Sequence, residues 1–342
     1  MKGYFLYLLK KRLPVFITIT VITTVFFLIY NSVAYTNTYE SKTTAYYPCL
    51  VSYAVVLGIL CFITPMIEFS FKMKKTTAIH IYSLPIKQKK VYIIRYIMGF
   101  LEIAIPFAIA YMISIGAVFI GRDYVNVGLF FLYLPAILIV GLLTYSYFAF
   151  FYSRANTVID GIVISILSFT GPLLIGVAVG SKLSTIPNLW KYYNCSYLFY
   201  AVSPIVLFDH VTTWFQNWVF PNPQKAVVNF EKGYYFCLAA YFIICIGTIV
   251  LLYFLTSKDK VEDASQKTTS WFGYKSLVPI AGVGMAAASS FLGTMGGVLV
   301  VLTIAFTYLE YALASRKFDL NVNWIWFSAV ASCEILAFLL LV

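Results

Sequence analysis

The run PVFITITVITTVFFLIYNSVAY, residues 14–35, carries no charged side chain. A helix rises about 1.5 Å per residue, so about 20 such residues cross the roughly 30 Å hydrocarbon core of a bilayer. Inside that core the backbone N–H and C=O groups must be satisfied within the protein, and a lone apolar run does this only as a helix. Comparable runs recur at 45–67, 91–120, 127–152, 158–182 and 233–255. Only 11% of the residues are charged and 61% are hydrophobic, whereas soluble domains carry about a quarter of charged residues. The fold expected is an all-α polytopic integral membrane protein. It has a six-helix core over residues 1–255 and two or three extra transmembrane helices in 256–342.

Cations gather between alternate runs. Lys10, Lys11 and Arg12 precede the first helix, and Lys72, Lys74, Lys75, Lys87, Lys89, Lys90 and Arg95 lie around the second and third. Arg154 separates the fourth and fifth, and Lys258, Lys260, Lys267 and Lys275 follow the sixth. The opposite loops hold Lys42 and Arg122, and the long segment after the fifth run spreads out Lys191, Lys225 and Lys232. The positive-inside rule then places the N-terminus in the cytoplasm of a cell bounded by this plasma membrane. The net charge of +11 is expected to meet lipid headgroups rather than nucleic acid.

Residues 2–13, KGYFLYLLKKRL, are too short to span and read as a helix lying in the interface. No small-residue cleavage site follows the first run, so it is expected to be a retained helix and not a signal peptide. Residues 277–314 are apolar over roughly twice one span, with Gly293, Gly296 and Gly297 near the middle. A tight hairpin there returns Arg316 and Lys317 to the cytoplasm, and a last helix covers 322–342. The ending AFLLLV has no polar anchor, which leaves a continuation past Val342 open. Residues 183–232 combine Trp190, Tyr197, Trp214, Phe215 and Trp218 with four prolines. That density suits short helices at the outer leaflet, where amphipathic rings settle. The cysteines form no C-x-x-C pair, which argues against zinc, and although Cys49 and Cys195 could both lie outside, a disulfide between them is not expected.

YSLPIKQKKVYIIRY, residues 82–96, puts a proline and four cations between the second and third runs. Pro85 ends one helix and suits the first turn of the next. Lys87, Lys89 and Lys90 then sit at a helix N-terminus that already carries partial positive charge. They do nothing for that helix, so they look outward for anions. Lipid phosphates are one such partner. The other is a soluble protein, with Ile81, Leu84 and Ile86 as apolar anchors and the lysines facing carboxylates.

Helix, SLPIKQKKVYIIRY, then a long helix resembles the corresponding part of bacterial ATP-binding-cassette (ABC) transporter permeases of the type-two export family. The resemblance covers about residues 1–255. It implies that 72–90 holds the coupling segment, with Ile81, Ser83, Leu84, Pro85, Ile86, Lys87, Lys89 and Lys90 docking on an ATPase. It likens 2–13 to the elbow helix and 183–232 to re-entrant outer helices. It implies cytoplasmic ABC ATPase subunits as partners, which bind ATP and Mg, and a second permease copy or a homologous permease. This chain would itself be no enzyme. The extra C-terminal helices depart from the six-helix pattern, and 256–280 sits where some Gram-positive relatives carry a cytoplasmic linker.

Other patterns carry less. GVAVGSKLS at 176–184 has the wrong glycine spacing for a Walker A loop. GVGMAA at 282–287 reads as small residues for helix packing. Asp259, Glu262 and Asp263 read as a solvated loop, and two histidines, His80 and His210, make no metal or acid–base site. Glu102, Glu310 and Glu334 lie within apolar helices, where ionisable groups are costly. Glu102 follows Arg95 by seven residues on one helix face, and structural pairing is expected for it, as for Glu68 and Asp160. Glu102 and Glu334 also support a rival class, an ion-coupled secondary carrier. A non-transporting sensor or assembly partner using the outer aromatic segment is a third.

Overall fold

A computed structural model describes residues 2–36, 46–83, 85–120, 127–184, 207, 208, 211, 212, 215, 232–255, 261–266, 268, 270–290, 296–315 and 324–341. The elements are α1 (Lys2–Thr36), α2 (Tyr46–Phe69), α3 (Lys75–Tyr82), α4 (Gln88–Ile120), α5 (Val127–Ser153), α6 (Val158–Ser184), α7 (Lys232–Leu255), α8 (Ser276–Ser289), α9 (Gly296–Ser315) and α10 (Trp324–Leu341). No strand occurs among the described residues. Five of these helices are long and apolar enough to cross a membrane, within Gly3–Ser32, Leu50–Lys72, Gln88–Ala117, Phe130–Ser153 and Val158–Val179. The chain is an all-α, multi-pass membrane protein.

The N-terminus departs from expectation. Residues 2–13 do not form a separate interfacial helix, because α1 runs unbroken through Pro14 to Thr36. Proline removes one backbone donor, and the first helix tolerates that loss at Pro14 without ending. Leu8 explains the continuity: it is buried against Ile94 and Met98 of α4, with Tyr4, Phe5, Leu9 and Phe16 packed around them. The apolar face of 2–13 therefore rests on protein. The stretch 277–314 does divide into two helices, α8 and α9. Gly293, Arg316 and Lys317 lie outside the described residues.

The chain folds as two compact units that do not follow a division at residue 255. The first joins Met1–Glu68, Pro85–Phe148 and Ile205–Asn229. Its centre is aromatic: Phe27, Tyr53, Phe107, Tyr111 and Tyr133 are all fully buried. Asn31 donates to Tyr53 and Ser114, and the Tyr133 hydroxyl donates to the Leu50 carbonyl at 3.0 Å. Much of 183–232 lies outside the described residues, Cys195 included. The described part turns its rings inward. Phe208 lies against Gly58, and Phe215 stands edge-on to Tyr133 at 5.2 Å. Both are buried, so these two rings fill protein core and do not meet lipid.

The second unit joins Phe69–Leu84, Ala149–Pro204 and Phe230–Val342. The C-terminal helices are in it because α8 packs on α6, α9 and α10. Small residues bring α6 and α8 close, as the 282–287 pattern suggested. A Cβ at Gly284 would lie 2.8 Å from the Gly171 carbonyl oxygen, and one at Gly171 would lie 3.1 Å from the Ala281 backbone. Backbone cannot give way as a side-chain tip can. Gly284→Ala is therefore expected to destabilise by about 1–3 kcal/mol through overpacking. Gly116→Ala, where the new Cβ meets nothing within 4 Å, is expected to be neutral or to gain up to about 1 kcal/mol of helix propensity. Paired melting curves of the two variants in detergent check this. Equal melting temperatures would disprove a close α6–α8 approach.

Candidate functional site

The turn between α2 and α4 is built from two pieces. Within the second unit, Ser70–Lys72 forms a single tight turn and α3 follows. Lys72 is not a free surface cation: it is buried, and its Nζ donates to the Ser153 carbonyl. Across α3, Ala78 and Ile81 are buried, while Lys74, Lys75 and His80 are exposed. Ile81 therefore packs on its own chain and is not available as an anchor for a partner. Ile79 is 52% exposed; its offset from Ile81 by two positions puts it on the other face of the helix. Ser83, exposed, closes α3 by donating through its N–H to the Ile79 carbonyl and through Oγ to the His80 carbonyl. Leu84 lies outside the described residues.

Within the first unit, Pro85 is exposed and Ile86 half-buried. Pro85 sits in a bend ahead of α4 and not in its first turn. The Lys87 carbonyl caps α4 by accepting from the N–H groups of Lys90 at 2.8 Å and Val91 at 3.3 Å. Lys87 and Lys90 are exposed and Lys89 is half-buried.

Further along α4 the first unit holds an ion cluster that sequence reading found only in part. Arg12 Nη2 lies 2.5 Å from Glu68 Oε1, and Arg12 Nε lies 3.4 Å from Glu102 Oε1. Arg95 Nη1 donates to Glu68 Oε2 at 3.3 Å, and Arg95 Nε donates to the Tyr4 hydroxyl. The carboxylate side chains are at most 1% exposed, against 19% for Arg12 and 10% for Arg95. Two guanidiniums face two carboxyl groups. Its members come from α1, α2 and α4, and it pins the three helices at one level. Gly99 makes the room: a Cβ there would strike the Tyr145 hydroxyl and reach within 3.2 Å of Glu68 Cγ. The seven-residue spacing of Arg95 and Glu102 was visible in the sequence. Arg12 and Glu68 were not recognisable as partners, because 56 residues separate them and nothing local links them.

The remaining intramembrane carboxylates lie in the second unit. Glu310 on α9 and Glu334 on α10 are 4% and 0% exposed. Thr307 donates to Glu334 Oε1 at 2.7 Å, and Gly282 leaves space for that oxygen. Oε2 of each glutamate has no hydrogen-bond partner among the described residues. Among those residues no group of three or more His, Cys, Asp or Glu side chains could hold a metal ion.

Compared with known protein families, curated proteins and solved structures, the chain matches none.

Proposed function

We propose that this chain is the membrane-spanning permease subunit of an ATP-driven ABC exporter, moving a lipid-like, peptide or hydrophobic substrate. The observation that carries the reading is the bend at Ser83–Lys90. An exposed proline, exposed Lys87 and Lys90, and the exposed Ile79 and Lys75 of α3 stand between two spanning helices. A short helix with one apolar anchor and flanking cations suits a groove edged with carboxylates on a soluble partner. ATP and Mg would be bound by that partner, and two permease copies, or this chain and a homologous one, would form the pathway. The permease makes and breaks no bonds. Partner closure changes the relative stability of two helix arrangements, and substrate moves because it binds them unequally.

Mild detergent extraction of the tagged chain from its native membrane tests this. The expected result is a co-purifying soluble ATPase in near-stoichiometric amount. Its absence, with transport retained by the chain alone, would end the reading. The same reading puts the bend in the cytoplasm of the cell. A Ser83→Cys variant is then expected to gain reactivity with an impermeant thiol reagent only in opened cells, measured against the parent with its native cysteines.

A second reading, an ion-coupled carrier, draws on Glu310 and Glu334 and their unpartnered oxygens. Glu102 no longer supports it, since that carboxylate is paired with Arg12. Loss of pH-driven flux into vesicles in Glu334→Gln, with no ATPase present, would favour this second reading.

A further inference from the structure

Asp259, Glu262 and Asp263 read as a solvated loop in the sequence, yet the described residues 261–266, 268 and 270–275 are fastened to the rest of the second unit. Ser265 is the centre of it. Its N–H donates to the Asn156 carbonyl at 3.0 Å, in the turn between α5 and α6. Its Oγ donates to the Met73 carbonyl at 2.9 Å, in the turn just before α3. One residue thus bridges two separate turns. Ser265 has φ of 65°, the only positive value at a non-glycine position among the described residues. That left-handed conformation is unfavourable for a residue with a Cβ and persists where surrounding contacts over-determine it. The two bridging hydrogen bonds supply that constraint.

A second fastening lies a few residues on. Asp160, in the first turn of α6, is buried. Its Oδ2 accepts from the Thr268 hydroxyl at 2.6 Å and its Oδ1 accepts from the Tyr274 hydroxyl at 3.0 Å. Thr268 Oγ1 also accepts from the Asn156 N–H at 3.1 Å. The Phe272 ring stands edge-on to Phe150 at 5.3 Å. Val261–Asp263 packs against α3, and Trp271–Lys275, kinked at Phe272 and Gly273, leads into α8. The chain of contacts therefore runs from the turn before α3, through Ser265, to the α5–α6 turn, and through Asp160 and Tyr274 to the head of α8.

We propose that residues 261–275 are a coupling strap. They make Ser70–Ser83, the α5–α6 turn and the head of α8 move as one body. On the permease reading, on which this functional consequence rests, a partner pushing on α3 moves the α6–α8 pair as well. The extra C-terminal helices then belong to the transmission and are not an appended module.

Hydrogen exchange on the detergent-solubilised full chain tests the strap without any partner. The variant Thr268→Val/Tyr274→Phe removes two hydroxyl donors to Asp160. Exchange across residues 70–83 is expected to speed up at least about tenfold. Ser265→Ala is the milder variant, removing the hydroxyl tie to Met73, and is expected to speed the same residues about threefold or more. Faster exchange confined to 261–275, with 70–83 unchanged in both variants, would overturn the proposal. Where an ATPase co-purifies, the double variant is expected to retain it while losing the ATP-dependent change in exchange at α8. A wild-type chain that captures no ATPase counts against the permease reading alone, and the exchange at 70–83 still decides the strap.

Discussion

Arg12→Ala is expected to lose about 3–5 kcal/mol of stability, the usual consequence of leaving a buried charge without its partner. Arg12 contacts both Glu68 and Glu102. Without it, two carboxylates that are almost fully buried share one guanidinium, that of Arg95. Glu102 is affected most, since Arg12 is its ion contact and neither of its oxygens has a hydrogen-bond partner among the described residues. Arg12→Lys should fall between the parent and the alanine variant. It keeps the charge but loses the planar fork that reaches two carboxylates from different atoms. Arg12→Ala/Glu102→Gln should recover a large part of the loss, because it removes the carboxyl group that lost its ion contact and leaves the Arg95–Glu68 pair. Apparent melting temperatures in detergent, read as a double-mutant cycle, separate these outcomes. If Glu102→Gln brings no recovery, the pairing of Arg12 with Glu102 contributes nothing to the fold.

Lys87→Glu/Lys90→Glu is expected to abolish capture of the soluble ATPase, with a loss of affinity beyond about 100-fold. Turning attraction into like-charge contact at an interface costs several kcal/mol, and each 1.4 kcal/mol is a factor of about ten. Both lysines are exposed, so the folded chain should barely notice, since surface substitutions stay within about 0.5 kcal/mol. Lys89 is left in place because it is half-buried. Co-purification and melting temperature are measured on the same preparation. Undiminished capture by a well-folded double variant removes this bend from the docking surface. A compensating Glu→Lys change on the ATPase that restores capture would locate its partner directly.

The spanning helices were legible because length and hydropathy are local properties. Residues 127–152, 158–182 and 233–255 read as apolar runs, and α5, α6 and α7 begin and end within two residues of those limits. The division of 277–314 into α8 and α9 was legible too, from the glycines in its middle. At the N-terminus, the separate interfacial helix did not form. Its apolar side chains matched an amphipathic surface helix, and no local signal marked Leu8 as a partner of Ile94 and Met98. In the bend, the proline and lysines were visible, but which isoleucine points outward depends on the protein surface that α3 covers.

The amino-acid sequence alone determined that this chain lives in a bilayer, where its helices run, and that a basic bend interrupts them. Each follows from the free energy of moving twenty or so consecutive side chains and their backbone out of water, a sum taken along the chain. Only the tertiary structure decided that Arg12 faces Glu68 and Glu102, that Gly284 meets the Gly171 carbonyl, and that Ser265 ties Met73 to Asn156. Those pairings span from 56 to 192 residues of sequence. They depend on distances of a few ångströms between elements that meet only after folding, and hydrogen bonds and ion pairs vanish when such distances grow by one or two.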